Sequence, residues 1–145
     1  MFDASAEREG KRVVGRTRDT GFAVGARRTF PVSSEEAWRL LISPEGVRIW
    51  LGDARGMAFK PGETYTLTNN ATGKIRVYQP NHHLRLTWQP PGWAKPSTIQ
   101  VRVIPNGGRT TIAFHQEHLP DADAREQRRV YYAAALDALE KLINA

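Results

Sequence analysis

The sequence contains no cysteine in 145 residues. That excludes a disulfide framework, a thiolate zinc site, an iron–sulfur cluster and a cysteine nucleophile. No stretch approaches the roughly 20 apolar residues of a membrane-spanning helix. Met1–Gly10 is polar and charged, unlike a secretory signal, so a cytoplasmic protein is expected. There is no internal repeat, no phosphate-cradling glycine loop and no Gly-x-Ser-x-Gly elbow. Acidic residues are scarce in the middle of the chain: residues 54–116 hold eight Lys and Arg against one acid, Glu63, and the net charge is +6. What remains is a composition of 40% hydrophobic and 25% charged residues, enough for one folded domain with its own core.

Local patterning places the elements. Lys11–Arg18 and Phe22–Phe30 flank Asp19-Thr20-Gly21, which reads as a hairpin. Ser33 and Glu36 form a capping box ahead of the apolar positions Ala37, Trp38, Leu40, Leu41 and Ile42. Ser43-Pro44 opens a second short helix, with Pro where its missing amide costs nothing, and Gly52 suits its end. Strands follow over Glu63–Asn69, Lys74–Gln79, His83–Gln89, Ser97–Ile104 and Arg109–His118, divided by Asn-, Pro- and Gly-rich turns. After Pro120-Asp121 nothing breaks the chain. Tyr132, Leu136, Leu139 and Ile143 recur at helical spacing, predicting an amphipathic helix of roughly 22 residues. Consecutive strands with segregated helices indicate an α+β fold.

Within this order, Arg28–Trp38, Ser43–Gly52, Gly73–Val77, His83–Trp88 and Thr110–Leu119 resemble the START-like (SRPBCC, helix-grip) superfamily. The narrower resemblance is to the family of the heat-shock-protein ATPase activator C-terminal domain. It implies a curved antiparallel sheet of about six or seven strands around the long terminal helix. It also implies a division into residues 1–23, an N-terminal tail and hairpin extension, and residues 24–145, the helix-grip domain. Relatives hold an apolar or amphipathic molecule between sheet and helix. Alternation then gives the residues expected to face that cavity: Trp50, Tyr65, Leu67, Ile75, Val77, Leu86, Trp88, Val101, Phe114, Gln116, Tyr132 and Leu136. Filling a closed core is the plainer use of the same residues.

Chemical motifs are sparse. In His115-Gln116-Glu117-His118 the histidines are three apart on a strand and point to opposite faces, so no metal site is expected. Gln116 and His118 share the inward register with Phe114. Lys74, Arg76, Arg85 and Arg102, with Tyr78 in the same register, fall opposite the apolar positions, on an outer basic face. No catalytic residue and no cofactor emerges. The expected function is a non-enzymatic binding protein for a small apolar or amphipathic ligand, or one with a co-chaperone-like, stress-related role through a protein partner. The alternatives are a cyclase- or hydrolase-type enzyme of the same superfamily, and an anion or nucleic-acid binder using the basic face.

Overall fold

The computed structural model describes residues 16–17 and 21–145. Of the expected first hairpin, Lys11–Gly15 and Arg18–Thr20 lie outside the described residues. Arg16–Thr17 (β1) pairs antiparallel with the start of Gly21–Phe30 (β2). The chain continues through Ser34–Ile42 (α1), Pro44–Trp50 (α2), Thr64–Thr66 (β3), Thr72–Gln79 (β4), His83–Trp88 (β5), Ser97–Asn106 (β6), Arg109–Leu119 (β7) and Ala122–Asn144 (α3). The strands form one antiparallel sheet in the order β1-β2-β7-β6-β5-β4-β3. This is the expected α+β helix-grip arrangement.

The helix ends follow their caps. Ser33 Oγ accepts from Glu36 N and Glu36 Oε1 accepts from Ser33 N, which closes the capping box of α1. Ser43 Oγ accepts from Gly46 N, and Pro44 takes the first turn of α2. Position 46 has to be glycine: a Cβ there would overlap the Leu40 carbonyl oxygen, so its absence lets α2 turn tightly against α1. Asp121 caps α3 through Ala124 N.

The inner sheet face and α3 share the core. Ile75, Leu84, Leu86, Ile99, Val101, Val103, Ile112 and Phe114 meet Tyr132, Ala135, Leu136 and Leu139 there, all buried. At the helix's C-terminal half, Arg28 of β2 donates to Asp137 (2.8 Å) and Glu140 (2.9 Å).

Two bulges break the simple alternation of the strands. In β4, Ile75 pairs with Leu86 but Val77 pairs with Arg85 and Tyr78 with Leu84. Directly opposed residues share a face, so the extra residue sends Val77 outward and turns Tyr78 inward. Val77 is therefore half-buried with the outer face, and Tyr78 packs beside Trp38 and Phe59, with ring centroids 5.7 and 6.0 Å apart. The sequence had implied the reverse for both. In β7, Gln116 pairs with Val24 and Leu119 with Phe22, which inserts a residue near His118 (φ +65°). Leu119 takes the inward place expected of His118. His118 is exposed, its Nδ1 within 3.5 Å of Thr98 Oγ1.

Lys74, Arg76, Arg85 and Arg102 are all exposed, opposite the buried Ile75, Leu84, Leu86, Val101 and Val103. Arg85 Nη2 donates to Gln100 Oε1 across the outer face (2.8 Å).

Candidate functional site

Eleven of the twelve residues expected to face the sheet–helix interior are buried there: Trp50, Tyr65, Leu67, Ile75, Leu86, Trp88, Val101, Phe114, Gln116, Tyr132 and Leu136. Val77 is the exception, for the reason just given. They pack largely on one another. Phe114 stacks on Tyr132 at 5.0 Å, Trp50 lies against Phe114 at 6.2 Å, and Trp50 Nε1 donates to Leu41 O (2.8 Å). Gly73 permits the next layer. A Cβ there would overlap both the Thr87 carbonyl and the Tyr65 ring, whose hydroxyl donates to that carbonyl. Clefts outside this packed layer include one of about 200 Å³ between α2 and the loop carrying Asp53 and Met57, and one of about 380 Å³ on the outer face by Arg27 and Arg102.

The interior is not wholly apolar. Arg128, on the buried stripe of α3 four residues before Tyr132, is only 8% exposed. Its Nε donates to Gln116 Oε1 (2.8 Å) and its Nη2 to Tyr132 OH (3.2 Å). Tyr132 OH donates to the same Gln116 Oε1 (2.7 Å). Gln116 Nε2 donates to Ser97 Oγ (2.8 Å), and Ser97 Oγ donates to Trp88 O (2.8 Å). Donation runs one way, from the guanidinium to a main-chain carbonyl, and Gln116 and Ser97 are fully buried.

The same Trp88 stands against Arg128 by its ring. The guanidinium carbon is 4.1 Å from the Trp88 ring centroid, 4.2 Å from Tyr131 and 5.0 Å from Tyr132. Tyr131 is anchored by donating to Ile49 O (2.9 Å), and Trp93 meets Trp88 edge-on at 5.4 Å. The aromatic quadrupoles help hold a charge that burial disfavours. Burial pushes the phenols of Tyr132, Tyr131 and Tyr65 above their ordinary range, and nearby Arg128 opposes that rise only in part. All three stay protonated hydrogen-bond donors at neutral pH.

Sequence reasoning identified Trp88, Gln116 and Tyr132 but missed Arg128, Ser97 and Tyr131. The signal for Arg128 was present: Ala124, Arg128, Tyr132 and Leu136 recur at steps of four, which puts a cation on the buried stripe. Among the described residues no group of three or more His, Asp or Glu side chains stands close enough to hold a metal ion. No described helix is long and apolar enough to cross a membrane.

The sequence profile of the family described as "Activator of Hsp90 ATPase homolog 1-like protein" matches residues 31–144. The chain belongs to that family. The match runs from the turn before α1 to the last residue of α3, so it takes in the whole Arg128–Gln116–Ser97 chain. No curated protein matches in sequence. Among solved structures, CalU16 from Micromonospora echinospora superposes with a TM-score of 0.75 at 22% identity, over 88% of this chain and 81% of that one. Protein MLL2253 from Mesorhizobium loti gives 0.72 at 20%, over 84% and 96%. PFC0360w, an HSP90 activator from Plasmodium falciparum, gives 0.69 at 15%, over 84% and 96%. At these identities the likeness establishes the fold, and function has to be argued from the site.

Proposed function

We propose that this chain is a non-enzymatic, cytoplasmic binding protein that takes a small apolar or amphipathic molecule at the end of the sheet–helix interior where Arg128 lies. The observation that carries the reading is the buried polar chain from Arg128 to Trp88 within an otherwise apolar core. A core built for packing alone has no need of it, and each polar group buried there has to be satisfied at a cost. The hydrogen-bonded series Arg128–Tyr132–Gln116–Ser97–Trp88 contains no histidine and no carboxylate, so no general base suited to neutral pH stands in it. That favours binding over catalysis.

The test is titration with a neutral apolar fluorophore, N-phenyl-1-naphthylamine. Saturable enhancement at about one site is expected, weakened in a folded Trp88→Ala variant. No saturation with the native protein would remove the reading.

Family membership supports a second reading, a co-chaperone-like role through a protein partner. Adding the chain to an Hsp90-type chaperone would then raise the chaperone's ATP hydrolysis rate. An unchanged rate, together with no co-sedimentation of the two proteins, would dispose of it.

A further inference from the structure

We infer that the molecule bound at this end of the interior is an amphipathic organic anion, and that Arg128 receives its charged oxygens. The inference rests on the binding reading above and adds the class of ligand.

Charge comes first. Among the described residues, the ion pairs join Arg28 to Asp137 and Glu140, and Arg129 to Glu126, all with partly or well exposed partners. Arg128 is more deeply buried than any of these groups, yet among the described residues no carboxylate pairs with it. Its two hydrogen-bond acceptors, Gln116 Oε1 and Tyr132 OH, are neutral. A buried guanidinium remains a cation, and this one has no ion-pair partner among the described residues.

The unmet hydrogen bonds point the same way. Trp88 Nε1, on a ring that the Arg128 guanidinium faces, is buried with no acceptor. Arg128 spends the Nε–H and one N–H of Nη2 within the protein, which leaves three of its five N–H groups, two on Nη1 and one on Nη2. Every unmet group is a donor. A neutral molecule with a hydroxyl would answer one of them; an oxyanion answers several and the charge as well.

The surroundings give the rest of the ligand. The guanidinium plane is held among the Trp88, Tyr131 and Tyr132 rings before anything arrives, so little ordering remains to be done on binding. Half-buried Trp93, edge-on to Trp88, offers an apolar surface beside the charge. Charge and ring surface side by side suit an anion with an aromatic or aliphatic body better than an inorganic ion.

The experiment compares 1-anilinonaphthalene-8-sulfonate with N-phenyl-1-naphthylamine, the same skeleton without the charge, at 0.15 M salt to screen the general basic field. Native protein is expected to bind the sulfonate at least about tenfold more tightly, the value of a charge-assisted hydrogen bond. Arg128→Met is expected to erase that preference, bringing the ratio of the two affinities to about one. Millimolar inorganic phosphate should not displace the sulfonate, and displacement would overturn the amphipathic part of the inference. Equal affinity for the two probes, or a preference that survives Arg128→Met, overturns the role of Arg128 while leaving the binding reading intact. If neither probe saturates, both fall. Should Arg128→Met not fold, Arg128→Lys keeps the charge without the planar fork and should retain only part of the preference. Full retention there would count against a bidentate contact.

Discussion

Leu139→Ala is the sharpest test of how α3 sits in the grip. Leu139 is 0% exposed and its neighbour Leu136 2%, both on the stripe that meets the inner sheet face. Removing three buried carbons loses their transfer free energy and leaves a cavity that packed strands on one side and helix backbone on the other cannot collapse. The expected loss is about 2–5 kcal/mol. Against a typical stability of about 5–15 kcal/mol that is a large fraction, and it should lower Tm by roughly 5–15 °C in a domain this size. Val130→Ala on the same helix is the internal control. Val130 is 53% exposed, so little burial is lost, and alanine's better helix propensity offsets what is. That variant should stay within about 0.5 kcal/mol of the parent. Urea unfolding followed by tryptophan fluorescence measures both, with the slope checked for constancy so that midpoints report stability. A Leu139→Ala midpoint no lower than that of Val130→Ala would show that α3 does not bury this stripe against the sheet.

Gly73→Ala should cost about 1–3 kcal/mol, because the added methyl overlaps the Thr87 carbonyl and the Tyr65 ring; urea unfolding with no loss would contradict that close approach. The His83 imidazole, whose pKa is lowered by burial and then by His82, Arg85 and Arg102, should titrate below the ordinary 6.5 in an NMR pH series. Its neutral form is favoured in the fold, so its contribution to stability is full above pH 6.5. That contribution is lost as pH falls, because the unfolded chain binds the proton first. A His83 titration above 6.5 would reverse that sign. Neutralising Lys74, Arg76, Arg85 and Arg102 together should weaken any nucleic-acid binding and flatten its salt dependence by roughly one unit of slope per lost phosphate contact. We expect the native chain's binding to be weak, sequence-independent and gone at physiological salt. Tight, sequence-selective binding at that salt would promote the basic face to the functional surface.

The fold was legible because its signals are local. The Ser33–Glu36 capping box, Ser43-Pro44, the alternation in His83–Trp88 and the stripe of α3 each specify an element whatever else the chain does. Bulges were not legible. Nothing in Lys74–Gln79 marks where the extra residue falls, since Val77 and Tyr78 are both acceptable inward side chains and the partner strand decides between them. His118 illustrates the same point: its left-handed backbone is set by pairing with β2, which the residues flanking it do not announce. The polar chain was half legible. Gln116 fell into the inward register by parity, but its partners arrive from β6 and from α3, so only the assembled sheet and helix bring Ser97, Gln116 and Arg128 together.

Arg128 is where the local rules of the fold disagree with one another, and such places are where function tends to reside. Periodicity asks for an apolar side chain between Ala124 and Tyr132. The chain supplies a cation, then surrounds it with the things that make its burial tolerable: three ring faces, an amide oxygen that accepts from it and a phenol held protonated by burial. What the described residues do not supply is a carboxylate, the partner that would satisfy the charge completely. With an Asp or Glu in that place the guanidinium would be a closed ion pair with nothing left to offer. Without one, donors at Arg128 and Trp88 remain unmet, and the free energy left unrecovered there is available to whatever anion arrives.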